Sequence, residues 1–132
     1  MIIKKRPDFL HAADHGRRIV KSGFVLQYVL SRRVFDPPVV RAGFTASKRV
    51  GNAVSRARAK RRLRPLCAEF MAKQGVAGYD YVLVARTAIL DKPYEKIRRD
   101  MKDAFKQARQ TILTPQPQRD KKADEQKNAD AG

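Results

Sequence analysis

Apolar positions along this 132-residue chain switch between helical and extended spacing, and each switch predicts an element. Residues 7–16 predict a short helix. Pro7 suits a first helical position, Asp8 complements the positive helix end, Gly16 is a natural stop, and Phe9, Ala12 and Ala13 share an apolar face. Residues 23–31, GFVLQYVLS, predict a strand with Phe24, Leu26 and Tyr28 on one face and Val25, Gln27 and Val29 on the other. Both faces are largely apolar, so alternation does not choose the core side. Asp36-Pro37-Pro38 marks a turn, and residues 39–47 predict a second strand, expected to pair antiparallel with the first. An extra short strand near the N-terminus, or a bulge, is left open by this pattern.

Gly51 and Asn52 then close a turn, and Asn52 can cap a long helix over residues 53–73. Its expected buried stripe is Val54, Leu63, Leu66, Cys67, Phe70 and Met71. Pro65 lies inside it and predicts a kink just before that position, because proline lacks the amide proton and clashes with the preceding turn. Residues 79–86, YDYVLVAR, form a near-continuous apolar run that predicts a central strand buried on both faces. Residues 92–113 predict a last helix, with Tyr94, Ile97, Met101, Ala104, Phe105, Ala108 and Ile112 at helical spacing. From Thr114 onward Pro, Gln, Lys, Asp and Ala dominate, which predicts one domain over residues 1–113 and a disordered polar tail over 114–132.

Charge changes this picture more than composition does. The net charge is +17, with 42% hydrophobic residues, a single Cys and no Trp. Between Pro37 and Ala68 there are nine Lys or Arg residues and no Asp or Glu. Eight of the nine are Lys48, Arg49, Arg56, Arg58, Lys60, Arg61, Arg62 and Arg64. A one-sign block repels itself, and a polyanion is the partner that relieves the repulsion; nucleic acid is the first candidate. Arg56, Lys60 and Arg64 repeat every four residues and line one ridge of the helix, while Arg58, Arg61 and Arg62 fan to a neighbouring face. A solvated helix face is the plainer reading, but such faces mix both signs of charge.

Other chemistry is sparse. His11 and His15 are four apart on the first helix without an acidic or Cys companion in a metal-binding pattern, so a surface or helix-end role is expected. Cys67 sits among Leu66, Ala68 and Phe70 and reads as a small buried hydrophobe, with a reactive thiol as the alternative. Asp80 reads as structural. No phosphate-binding glycine loop, catalytic triad pattern or apolar run of the ~20 residues that cross a bilayer is found, and the N-terminus lacks a signal-peptide segment. The expectation is a cytoplasmic protein with no membrane and no small-molecule substrate.

The run at positions 47–64, SKRVGNAVSRARAKRRLR, resembles the signature of the protein subunit of bacterial ribonuclease P, which reads approximately Ser-Lys-Lys-x-Gly-Asn-Ala-Val-x-Arg-Asn-Arg-x-Lys-Arg-x-x-Arg. Asp8-Phe9 ahead of Gly16, the strand around Phe24-Val25-Leu26, and Tyr79-Asp80-Tyr81 opening a strand that ends at Arg86 agree with it. The resemblance covers residues 4–113. It implies an α+β, two-layer domain of order αβββαβα, a ribosomal-protein-like fold whose four-stranded sheet contains a left-handed βαβ crossover; one of the β-stretches would then be split.

In function, the resemblance implies a subunit of an endoribonuclease whose catalyst is RNA. That RNA removes the 5′ leader of precursor tRNA with magnesium ions that it mainly binds itself, and the protein contributes no catalytic residue. The partners implied are the catalytic RNA subunit and precursor tRNA. Carried over by position, Lys48, Arg49, Arg56, Arg58, Lys60, Arg61, Arg62 and Arg64 are expected to bind RNA. Phe9, Gln27, Arg56, Ala57, Lys60 and Arg64 are expected to border a cleft for the leader, where Phe9 stacks on a base; in a second reading Phe9 only plugs the first helix onto the sheet. Three departures predict a less aromatic cleft: Ala57 replaces the usual central Asn, Ala13 a second aromatic of the first helix, and Gln27 an aromatic found on the strand in some members. Pro65 also replaces a residue that is usually helix-compatible. The alternatives are a structural RNA-binding protein of the ribosome, a DNA-binding regulator and a membrane-surface peptide. The extended signature opposes the first, the strand preceding the basic helix opposes the second, and the ordered domain around that helix opposes the third.

Overall fold

The computed structural model describes residues 1–114. Helix α1 spans Arg6–His15, followed by β1 (Arg17–Val20), β2 (Phe24–Leu30), β3 (Arg41–Ala46), α2 (Ala53–Gln74), β4 (Tyr79–Ala85) and α3 (Tyr94–Leu113), with single 3-10 turns at Lys48–Val50 and Thr87–Leu90. Gly16 ends α1, its amide donating to the Ala12 carbonyl at 2.9 Å. The chain enters β1 at the next residue. The tail expected over 114–132 lies outside the described residues except for Thr114, whose amide donates to the Gln110 carbonyl at the end of α3.

The four strands form one mixed sheet of order β1-β2-β4-β3. β1 and β2 are an antiparallel hairpin, β2 pairs antiparallel with β4 (Tyr28 opposite Tyr81), and β3 pairs parallel with β4 (Arg41 opposite Asp80). Two expectations are corrected here. The fourth strand is not a split stretch but a separate one at Arg17–Val20, and residues 41–46 pair with β4 rather than antiparallel with β2. The reason is burial. β4 is apolar on both sides and takes the centre, which displaces β3 to its far side and makes α2 the connection between two parallel neighbours.

The main core lies between one sheet face and the α2–α3 layer. Phe24, Leu26, Tyr28, Tyr81 and Leu83 meet Leu63, Leu66, Phe70, Ile97, Met101 and Phe105 there. On the opposite face α1 packs through Ala12, with Ile3, Val29 and Val82 around it. Ala59 joins the buried stripe of α2, but Val54 does not: it is 71% exposed in the first turn, ahead of the point where the helix reaches the sheet. Tyr94 is also exposed, at the first residue of α3.

The start of α2 is fixed locally. Gly51 has φ of 139°, a conformation that L side chains avoid, and a Cβ there would come within 2.8 Å of Ser55 Cβ. The Asn52 side chain accepts from the Ser55 amide at 2.9 Å. α2 continues through Pro65 as one helix to Gln74. Pro65 lies on the exposed side, where water can satisfy the Arg61 carbonyl that loses its amide donor. Cys67 is buried, and burial pushes its thiol up to about 12, so it packs as a hydrophobe and is not a nucleophile.

Candidate nucleic-acid interface

Five of the eight expected cations, Lys48, Arg49, Arg58, Lys60 and Arg61, make no side-chain hydrogen bond, ion pair or ring contact with the described residues. They lie on the 3-10 turn after β3 and on the first half of α2, whose buried side is held by Ala59 and Leu63. No acidic residue interrupts this stretch, and none of the five forms an ion pair among the described residues.

The other three are tied into the protein. The Arg56 guanidinium donates to the Gly51 carbonyl at 3.0 Å, bracing the turn that precedes α2. Arg64 stands over the Phe44 ring at 5.7 Å. Arg62 departs furthest from the expected role. Its guanidinium donates to the Ile89 carbonyl and, at 2.8 Å, to the Lys92 carbonyl, clamping α2 to the segment between β4 and α3. That fan of donors serves the backbone.

A groove of about 450 Å³ opens on the α1 face of the sheet. Phe9, Gln27, Phe44 and Val82 form its walls and floor, with Lys4 and Arg6 among its lining residues. Of the expected cleft residues, Phe9 and Gln27 line it, and Arg64 adjoins it through Phe44; Arg56, Ala57 and Lys60 do not line it. Ala13 does, in keeping with its small size leaving open space. Phe9 is half-buried and seated against β3 at Gly43, where a Cβ would come within 2.7 Å of the ring. One edge of Phe9 therefore plugs the helix onto the sheet, while the residue still contributes to the groove. Gln27 is 92% buried, and its carboxamide has no partner among the described residues.

Sequence reasoning missed the network that holds α1 in place to form this groove. Arg41, the ninth cation of the acid-free stretch, is buried. It donates to both Asp80 oxygens at 2.8 and 2.6 Å and to Asp8 at 3.3 Å, and it lies 5.3 Å from the Phe35 ring centre. Asp8 also accepts from Arg33 at 2.8 Å and Arg32 at 3.4 Å. Burial pushes the Asp8 carboxyl up, but the Arg33 hydrogen bond, the Arg41 charge and the Arg32 hydrogen bond outweigh it and hold it below its ordinary value. Asp8 thus does more than complement the helix end. The structural expectation for Asp80 is met by the Arg41 pair. The His11 ring nitrogen Nε2 donates to the Leu30 carbonyl at 3.2 Å, and the ring centre lies 5.1 Å from that of His15, the two tilted by 42°, a helix-end role.

Comparison with known proteins agrees with this geometry. The family model described as Ribonuclease P matches residues 1–109. The ribonuclease P protein component of Paramagnetospirillum magneticum is 40% identical over 105 residues, 79% of each chain. That of Erythrobacter litoralis is 36% identical over 118 residues, covering 89% of this chain and 93% of the relative. The solved RNase P protein of Staphylococcus aureus superposes with a TM-score of 0.66 at 26% identity, over 81% of this chain and 94% of that one. In sequence over most of its length, and in fold, the chain belongs to the ribonuclease P protein family.

Proposed function

We propose that this chain acts in removal of the 5′ leader from precursor tRNA, binding the catalytic RNA of ribonuclease P through Lys48, Arg49, Arg58, Lys60 and Arg61. The observation that carries the reading is that these cations have no counter-charge among the described residues. Phosphate supplies that charge, and the planar guanidinium grips it with two hydrogen bonds. The groove takes the single-stranded leader, with Phe9 and Phe44 offering ring faces and Lys4 and Arg6 meeting phosphates. Arg64 borders it through Phe44, whereas Arg56 and Arg62 shape the interface by holding backbone carbonyls.

The chemistry belongs to the RNA in this reading. Among the described residues no group of three or more His, Cys, Asp or Glu is placed to hold a metal ion, and Asp8 and Asp80 are both occupied by guanidinium groups. In this reading the RNA, and not the protein, mainly holds the magnesium ions. No described helix is long and apolar enough to cross a membrane, and the cytoplasm, where tRNA is processed, is the proposed setting.

The test is cleavage of a precursor tRNA at low magnesium by the cognate catalytic RNA, with and without the protein. Strong stimulation, with no cleavage by the protein alone, is expected. Tight RNA binding without stimulation would assign the protein instead to a structural role in another ribonucleoprotein.

A further inference from the structure

The groove beside α1 ends as a cavity at β2, but its floor continues. Two cross-strand rows run from β4 through β2 to β1 on that face: Val82, Gln27 and Arg18 in one, Val84, Val25 and Val20 in the other. Residues directly opposite one another in a sheet point to the same side. Arg18 and Val20 therefore share the side on which Gln27, Val82 and Val84 line the groove. Neighbouring strands lie about 5 Å apart, so Arg18 stands one strand spacing beyond Gln27.

Helix α1 packs on this face around Val29 and Val82 and leaves β1 uncovered. Arg18 is exposed and Val20 is 59% exposed, although Val25 beside it is buried. The cations around Arg18 are engaged: Arg17 has a partner, Lys21 pairs with Asp103, and Arg86 donates to the Lys21 carbonyl. Arg18 makes no side-chain hydrogen bond, ion pair or ring contact among the described residues. Neither row contains Asp or Glu. The basic segment that starts at Lys48 follows β3, and β3 and β1 are the two opposite edges of the sheet. An RNA strand that leaves that segment through the groove crosses β4 and β2 and reaches β1 last.

We infer, on the reading that the groove holds the 5′ leader, that the leader extends past it onto β1, where Arg18 holds a backbone phosphate at the far end of the path. The guanidinium supplies two parallel donors to the phosphate oxygens. Val20 and the half-buried Val84 give the adjoining nucleotide an aliphatic surface to lie on, as single strands do on open sheet faces. Contacts to phosphate and to an aliphatic surface carry no base information. Leader length, and not leader sequence, is therefore what this end of the path senses.

The experiment measures the dissociation constant of the holoenzyme, the full chain with its cognate catalytic RNA, for precursor tRNAs whose leaders lengthen one nucleotide at a time. Affinity should rise in two stages, the first as the groove fills and the second as the leader reaches β1. Arg18→Gln, which removes the charge and keeps an unbranched stem, should abolish the second stage. Binding of the longest leaders then weakens about tenfold, and binding of the shortest is unchanged. Arg18→Lys should keep most of the gain, because an ammonium also donates to phosphate. Both variants should unfold at the urea midpoint of the parent chain, since Arg18 has no partner to lose. Equal losses for every leader, leaderless tRNA included, would assign Arg18 to the catalytic RNA and overturn the inference, as would an unchanged length profile; both results leave the groove standing. Affinity independent of leader length in the parent chain would overturn the groove reading and this inference together.

Discussion

At the residue scale, one buried guanidinium organises much of the α1 face. Arg41 is enclosed with two carboxylates from different elements, so removing either leaves a buried charge short of a partner. Asp80→Ala should cost about 3–5 kcal/mol in urea unfolding, because the loss is that of a broken buried pair; a loss under about 1 kcal/mol would show that the pair is solvated. The Asp8 carboxyl titrates below 3.8, its unfolded value. A depressed folded pKa means that its contribution is fully present above 3.8 and is lost as pH falls through the folded value. Asp8→Asn should therefore flatten the acid limb of the stability curve below that pH; an unchanged limb would assign acid unfolding to other carboxylates. Phe9→Ala should weaken binding of leader-bearing tRNA by about 1–3 kcal/mol, the range for losing one base stack, and spare mature tRNA. Equal losses for both would make Phe9 a plug alone. The aromatic and the cations were legible in the sequence because their types and spacing are local. The Arg41–Asp80–Asp8 network was not, because its members come together only when β3 and β4 align in parallel.

At the element scale, helices were read within two residues at either end, because caps and periodicity are encoded close to where they act. Asn52 capping α2 and Gly16 ending α1 are examples. β1 escaped as a definite element: Arg17-Arg18-Ile19-Val20 is half polar, and its stability comes from pairing with β2, which is a tertiary fact. Likewise, the apolar pattern located β3 but said nothing about its neighbour. Pro65 tests how far α2 tolerates a local defect. Pro65→Ala should restore the helical hydrogen bond and raise stability by up to about 3 kcal/mol. The gain is readable as a higher urea midpoint with an unchanged slope, and a lower midpoint would mean that the proline ring itself is packed usefully.

At the scale of the whole molecule, the chain carries a field that its fold cannot neutralise. Lys48, Arg49, Arg58, Lys60 and Arg61, with Arg64 beside them, could meet about six phosphates. Affinity for the catalytic RNA should then fall about a thousandfold between 50 and 200 mM salt. Arg61→Ala should lower the slope of log affinity against log salt by about one, whereas Arg62→Ala should leave the slope nearly intact and destabilise the fold. A salt-independent affinity would defeat the phosphate-grip account. Net charge pointed to the phosphate-binding proposal; it does not say which cations the scaffold itself uses, since Arg61 and Arg62 are adjacent in sequence yet only Arg62 reaches the Ile89 and Lys92 carbonyls.

The basic helix is also the crossover that joins two strands paired side by side. The β3–β4 ladder closes only after twenty-odd residues of α2 have been laid across the core. Non-local closure of this kind slows folding, and self-repulsion along α2 adds to the delay. An RNA that binds the finished helix prefers the folded chain and so raises its stability by mass action. Under the proposed RNA contact, assembly and maturation of the protein would be coupled: the RNA would act on its own subunit much as a folding ligand does, and protease resistance of the β3–α2–β4 segment would be a readout of complex formation.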